Sequence, residues 1–197
     1  MGVSFANTSD VIIQAEDTKS SLGKWKLEKE IEGYNGNGYL VFTGNKPANG
    51  PATSPLKYKF TVKESGLYYL HIFCAKEIVT IKGEERTDVS NDCYVKVSGD
   101  FEAAENAGEE GNEFATFKEL KEDHKFFGGN PLKFAWAFGK RLDIGGDRHK
   151  KIAAYQLKKD EVYTLTVSGR SQKFKIDQFK FTTSGKSKGK RKKVKKK

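Results

Sequence analysis

Nowhere in this chain of 197 residues do eighteen apolar residues run together, about the length that a membrane-spanning helix requires. Residues 1–30 also lack the basic start and apolar stretch of a retained secretion signal. Neither a transmembrane span nor a retained leader is therefore expected. Histidine is scarce: His71, His124 and His149 stand far apart without metal-ligand spacing, and His71 falls inside a strand-like run. Cysteine is scarcer still, with only Cys74 and Cys93, and their separation makes no zinc site. A disulfide between them would need Cα atoms within roughly 7 Å; two buried free thiols are the other reading. The glycine-rich stretches follow no strand-to-helix phosphate-binding or dinucleotide pattern. With no nucleophile beside a base and no catalytic metal pattern, a binding protein is expected rather than an enzyme. Carboxylates are nevertheless numerous enough for a glycosidase pair to go unmarked.

Basic residues crowd one segment that has no acidic ones to balance them. From Lys186 to Lys197 there are nine basic residues and no acidic ones; without them, 27 basic residues face 26 acidic ones. The net charge of +10 is thus a property of the tail and not of the folded body. Residues 185–197 form a basic, low-complexity segment with almost nothing apolar to bury, expected to be unstructured when free. Such a tail suits phosphates or sulfates on nucleic acid, anionic lipid or acidic glycan. A polyanion-binding protein acting through it is accordingly the alternative function, and nucleic acid is expected as a partner only by that route.

The chain as a whole is rich in what a core needs, with 36% hydrophobic and 12% aromatic residues, which excludes global disorder. Its pattern has period two. Leu56-Lys57-Tyr58-Lys59-Phe60-Thr61-Val62 alternates without a slip, as a half-buried strand does. Residues 162–167 and 174–181 read the same way, and further strands are expected over 11–16, 39–42, 67–74, 93–97, 134–138 and 152–157. Turn signals separate them at Gly36-Asn37-Gly38, Glu64-Ser65-Gly66, Gly128-Gly129-Asn130, Gly145-Gly146-Asp147 and Lys158-Lys159-Asp160. Eight or nine short strands with such turns predict an all-β antiparallel sandwich over residues 1–184. Residues 113–123 alone tolerate a helix, of one or two turns. Two segments read as insertions: 78–91 is charged and irregular, and 100–112 is acidic and rich in small residues.

Four pieces taken in order carry a resemblance. They are Ile13-Gln14-Ala15-Glu16-Asp17; Gly33-Tyr34-Asn35-Gly36-Asn37-Gly38-Tyr39-Leu40-Val41-Phe42; Tyr58-Lys59-Phe60-Thr61-Val62 with Ser65-Gly66-Leu67-Tyr68-Tyr69-Leu70; and Tyr163 to Arg170 followed by Phe174-Lys175-Ile176-Asp177. Together they resemble the carbohydrate-binding modules of the family 6 and family 35 type, which are β-jelly-roll sandwiches. The likeness spans about residues 11–183, and the chain departs from the usual size by its two insertions. It implies a lectin-like, non-catalytic module of a secreted or cell-surface carbohydrate-active protein, binding a polysaccharide and often joined to a catalytic domain.

The resemblance also implies a structural calcium ion between the first and last strands, with Gln14, Glu16 and Asp177 at the side-chain ligand positions. Calcium prefers roughly six to eight oxygen ligands, and two carboxylates with an amide suit it. The residues alone leave another reading, in which Glu16 and Asp177 are solvent-facing polar positions of half-exposed strands. For the sugar, position matching points to Tyr34, with Asn37 in the same glycine-rich loop, and to Trp136. Aromatic rings offer large rigid faces for stacking. Phe134, Trp136 and Phe138 alternate with Ala135 and Ala137, which is equally the pattern of a core-facing strand. Asn91, Asp92, Arg170 and Gln172 are the polar candidates, and Arg170 would suit sulfate or carboxylate on an anionic glycan.

Overall fold

The computed structural model describes residues 10–47, 49–105, 113–145 and 150–183. The expected basic tail, residues 106–112 of the acidic insertion, the turn at Gly146-Asp147 and His149 lie outside the described residues.

The strands in chain order are β1 (Val11–Gln14), β2 (Trp25–Glu28), β3 (Tyr39–Phe42), β4 (Thr53–Phe60), β5 (Gly66–Lys76), β6 (Val79–Ile81), β7 (Glu84–Arg86), β8 (Asp92–Ser98) and β9 (Glu102–Ala103). After the helix α1 (Phe117–Lys121) come β10 (His124–Phe127), β11 (Asn130–Pro131), β12 (Ala135–Ala137), β13 (Lys140–Asp143), β14 (Lys150–Ile152), β15 (Ala154–Leu157), β16 (Tyr163–Gly169) and β17 (Lys175–Thr182). One sheet runs β2-β3-β17-β5-β15-β9, with β1 also on β17 and β11 and β12 on β5; the other runs β14-β13-β10-β8-β16-β4. Every pairing is antiparallel except that of β11 with β5.

The expected sandwich is what forms, and alternation explains why. Leu56, Tyr58 and Phe60 point inward from β4 and are buried, while Lys57 and Lys59 between them are exposed. They meet Ile176, Phe179 and Phe181 of β17; Phe60 stacks on Phe181 with ring centroids 4.2 Å apart, and Tyr58 lies 5.0 Å from Phe179. Cys74 and Cys93, on opposite sheets, are buried free thiols, and burial pushes the Cys74 thiol up to about 12.

Several expectations change in detail. The first strand stops at Gln14, and Ala15–Asp17 forms a single 3-10 turn that places Glu16 off the sheet. Burial of Ala15, whose carbonyl accepts the Tyr58 hydroxyl at 2.8 Å, fixes that turn. The segment 78–91 is not wholly irregular, since β6 and β7 make a hairpin through Lys82 and Gly83 at φ +51° and +84°, the left-handed pair of a tight hairpin turn. The helix is five residues long, with Thr116 and Glu119 forming a capping box at its start.

Candidate metal and ligand sites

Strand β17 carries an irregularity between Ile176 and Gln178, so Asp177 has no opposite residue on β5. A bulge of this kind re-aims a side chain. The Asp177 carboxylate, fully buried, meets the loop after β2: the Asn35 backbone amide donates to both its oxygens at 3.1 and 3.0 Å, and the Asn35 side-chain amide donates at 2.9 Å. Two residues on, the Asn37 amide donates to Glu16 Oε1 at 2.8 Å. Gln14, paired with Gln178 where β1 meets β17, accepts from the Gln178 amide at 3.2 Å.

Gly36 lies between these contacts at φ +68°, and a Cβ there would fall 2.2 Å from Glu16 Oε1 and 3.3 Å from Gln14 Oε1. A side chain there would be strained at that φ and would push the Glu16 carboxylate away from the loop. Burial pushes the Asp177 carboxyl up, the Asn35 hydrogen bonds oppose that, and the Glu16 charge adds to it. Glu16 Oε2 is buried without a hydrogen-bond partner. Among the described residues no three His, Cys, Asp or Glu side chains cluster; this set is two carboxylates and an amide oxygen. A buried carboxylate beside a half-buried one, with an orphaned oxygen, fits a hard, oxygen-preferring cation.

A chain of rings crosses the outer face of the first sheet. Tyr34 lies 5.7 Å from Tyr39, Tyr39 5.0 Å from Phe134, Phe134 5.6 Å from Phe73, and Phe73 5.0 Å from Trp136. Tyr34 is half-buried at one end, and Tyr39 beneath it is fully buried, its hydroxyl accepting from the Ile31 amide at 3.1 Å. Trp136 is at the other end. It pairs with Phe73 on β5 and projects away from the sandwich core, into which Ala137 points. Its ring is not bare, because Lys180 Nζ sits 4.5 Å from the centroid.

The polar candidates divide between two clefts. Asn91, Asp92 and Arg170 line one of about 270 Å³ together with Lys125, Phe127 and Asp143. There the Arg170 guanidinium donates to Asp92 at 2.6 Å, the Ser171 hydroxyl donates to the same carboxylate, and both charges are largely buried. Burial works against the Arg170 charge, and Asp92 more than restores it. Gln172 lines a second cleft of about 550 Å³ with Val41, Thr43, Glu77 and Lys175, its amide donating to the Thr43 carbonyl at 3.4 Å. Buried Lys175 donates to Glu77 at 2.9 Å. Burial would raise the Glu77 carboxyl, but the ammonium holds it below its usual range.

Sequence reasoning missed Tyr39, Phe73 and Phe134 as one ring system, although Phe73 stands at an outward position of an alternating strand. It also missed Lys175, Glu77 and Lys180. A lysine at two outward positions of β17 was visible in Phe174-Lys175-Ile176-Asp177-Gln178-Phe179-Lys180-Phe181, but not what each would meet.

No protein-family model matches the chain, and no curated protein does. Solved structures do. A β-(1,4)-mannanase of Podospora anserina that combines glycoside hydrolase family 26 with a family 35 carbohydrate-binding module is similar at a TM-score of 0.50 and 15% identity, over 91% of this chain and 28% of that one. A family 35 carbohydrate-binding module of Clostridium thermocellum is similar at 0.47 and 17% identity, over 89% of this chain and 99% of that one. A third, a family 35 module from Cellvibrio japonicus, matches at 0.44 and 10% identity over 90% and 95%. This chain spans little more than a quarter of the mannanase. The fold is the β-sandwich of the family 35 type of carbohydrate-binding module. Among the described residues no helix is long and apolar enough to cross a membrane.

Proposed function

We propose that the chain is a non-catalytic carbohydrate-binding module of a secreted or cell-surface protein, joined in its working form to a catalytic domain, and that its partner is a polysaccharide. The observation that carries the reading is the run of rings from Tyr34 to Trp136 beside the Lys175–Glu77 cleft, in which Tyr34, Phe73 and Trp136 are half-buried and rest on the buried Tyr39 and Phe134. A ring system next to a few fixed polar groups is what sugar recognition requires: apolar faces for the pyranose, hydrogen bonds for its hydroxyls. Tyr34 is the stacking residue in this reading, Gln172 and Lys175 the hydrogen-bonding ones. Trp136 joins them when Lys180 swings off its ring.

Gln14, Glu16 and Asp177 would hold a structural calcium ion. When bound, calcium neutralises the two carboxylates. The residues themselves tie β1, β17 and the 35–37 loop together, so the ion stabilises the loop that carries Tyr34 and does not touch the sugar. The orphaned Glu16 Oε2 and the space that only Gly36 leaves support this.

The test is retention of the full chain on insoluble mannan, xylan and cellulose, with calcium, at low and high salt. Salt-resistant retention by one polysaccharide, lost in Tyr34→Ala, supports the reading. Retention that salt abolishes in every case overturns it and assigns binding to the basic tail.

A further inference from the structure

Four strands end the paths of the two sheets, and three of them are short or covered. β9 has two residues. β4 is flanked by the segment after β1, where Ser20 Oγ accepts from the Lys57 amide at 2.9 Å and the Thr18 hydroxyl donates to the Lys57 carbonyl at 3.4 Å. β14 meets residues 113–115, its Ile152 amide donating to the Glu113 carbonyl and its Ile152 carbonyl accepting from the Ala115 amide. The fourth, β2, is different. The Thr43 amide, just beyond β3, donates to the Lys24 carbonyl at 2.8 Å. By the alternation of an antiparallel ladder, Lys24, Lys26 and Glu28 therefore turn their backbone groups toward β3, and Leu27 turns its amide and carbonyl away. Among the described residues no strand pairs with β2 on that side. An edge of this kind is a template for another strand.

The residues along the edge are complementary to themselves. They read Lys24-Trp25-Lys26-Leu27-Glu28-Lys29-Glu30. In a second copy running antiparallel with Leu27 opposite Leu27, each Lys26 faces Glu28 of the other copy, and each Lys24 faces Glu30. Opposed residues share one face of a sheet. Lys26 and Glu28 lie on the outer face with Val41 and Tyr39, while Leu27, 48% exposed, lies on the other face with Leu40. Slipping the register by two residues sets Lys26 against Lys26 in one direction and Glu28 against Glu28 in the other, and like charges directly opposed repel. The charges thus select a single register. None of Lys24, Lys26, Glu28 and Glu30 has an ion-pair partner among the described residues.

We propose that β2 is a dimer interface, at which two copies of this chain pair antiparallel about a two-fold axis at Leu27. The two Leu27 residues exchange backbone hydrogen bonds, their side chains touch, and lysine–glutamate pairs flank them on both sides. The first sheets of the two copies become continuous, and their ring systems face the same way. Two-fold pairing of one edge closes on itself, so assembly stops at two. The interface is short, so the dimer is weak and reversible. It rests on the edge and its charges and does not require the rings to bind sugar.

Sedimentation velocity of the full-length chain tests this at concentrations rising to about 1 mM. Salt of about 0.15 M screens the repulsion of the basic tails beyond about 8 Å. The parent chain should pass from monomer to dimer. Lys26→Glu alone and Glu28→Lys alone should each weaken association about tenfold or more, because each opposes like charges at two places. Lys26→Glu/Glu28→Lys restores the complementarity in reverse and should associate within about threefold of the parent. Mixing the two single variants should give a mixed dimer stronger than either forms alone. A parent chain that stays monomeric throughout overturns the proposal. So does a dimer that both single reversals leave intact, or one that the double reversal fails to restore.

Discussion

The Asp177 carboxylate receives the backbone amide of Asn35 on both oxygens, across 142 positions of sequence. That contact joins the last strand to the loop after β2. Glu16 reaches the same loop by way of Asn37, from the 3-10 turn that follows the first strand. Each carboxylate holds the loop while repelling the other, and under the proposed reading a cation would relieve that repulsion.

Calcium should therefore raise the melting temperature. An ion that binds only the folded state at about 100 times its dissociation constant contributes about 2.7 kcal/mol, or about 5–10 °C in a chain of this size. Melting of the full chain in calcium and in chelator checks it. Glu16→Ala should melt at the same temperature in both; a calcium increment kept in that variant removes Glu16 from the ligand set.

The pH dependence has a definite sign. The Asp177 carboxyl is pushed up from its ordinary 3.8 by burial and by Glu16, despite the Asn35 bonds. Between 3.8 and that raised value the folded state binds more protons than the unfolded state, so stability falls as pH rises through the window. In chelator the fall should be visible; in calcium, where the ionised form has its partner, it should shrink. Urea titrations at stepped pH read both. Equal slopes in the two buffers would contradict the assignment.

Gly36→Ala tests the loop without altering a charge. Its Cβ would meet Glu16 Oε1 at 2.2 Å, and φ is +68°, so the variant should lose about 1–3 kcal/mol together with the calcium increment. Loss of stability with the increment kept would make the loop a purely steric element.

Alternation on both sides of Leu56–Phe60 and Tyr163–Val167 left the sandwich legible, because a strand covered on one face must write that face into every second residue. His124–Phe127 and Lys140–Asp143 carry no such record: each is a strand because a partner on the sheet satisfies its backbone. The proposed metal set rests in the sequence only on the order of four motifs. Nothing local in Asp177 announces a bulge, and nothing in Gly36 announces the oxygen it must not strike. Lys175 and Glu77 are 98 positions apart, and Trp136 and Lys180 meet only because β12 and β17 both pair with β5. Contacts of that kind depend on topology, which residue patterns do not contain.

Arg170 and Asp92 illustrate how a polar candidate is held in place. Both are largely buried and bonded to each other, so Arg170→Met should leave a buried carboxylate and cost about 3–5 kcal/mol. Replacing both, Arg170→Met with Asp92→Leu, should cost less than the single change, which denaturant titration measures. A double variant at least as unstable as the sum of the singles would show that the pair is not what stabilises the turn.

Lys180 Nζ lies over the Trp136 ring at 4.5 Å, a contact of about 0.5–1 kcal/mol at an exposed site. A sugar that stacks there must displace the ammonium, so Lys180→Ala should remove a competitor and tighten polysaccharide retention about twofold to fivefold. Trp136→Ala should then abolish that gain while leaving the melting temperature within a few degrees, since the ring lies outside the sandwich core. Lys180→Ala binding more weakly than the parent chain would show instead that the ammonium itself contacts the glycan, with the tryptophan serving to position it. Measuring the two single variants and the double variant against one polysaccharide separates these outcomes, because only in the first does the effect of Lys180 disappear when Trp136 is gone.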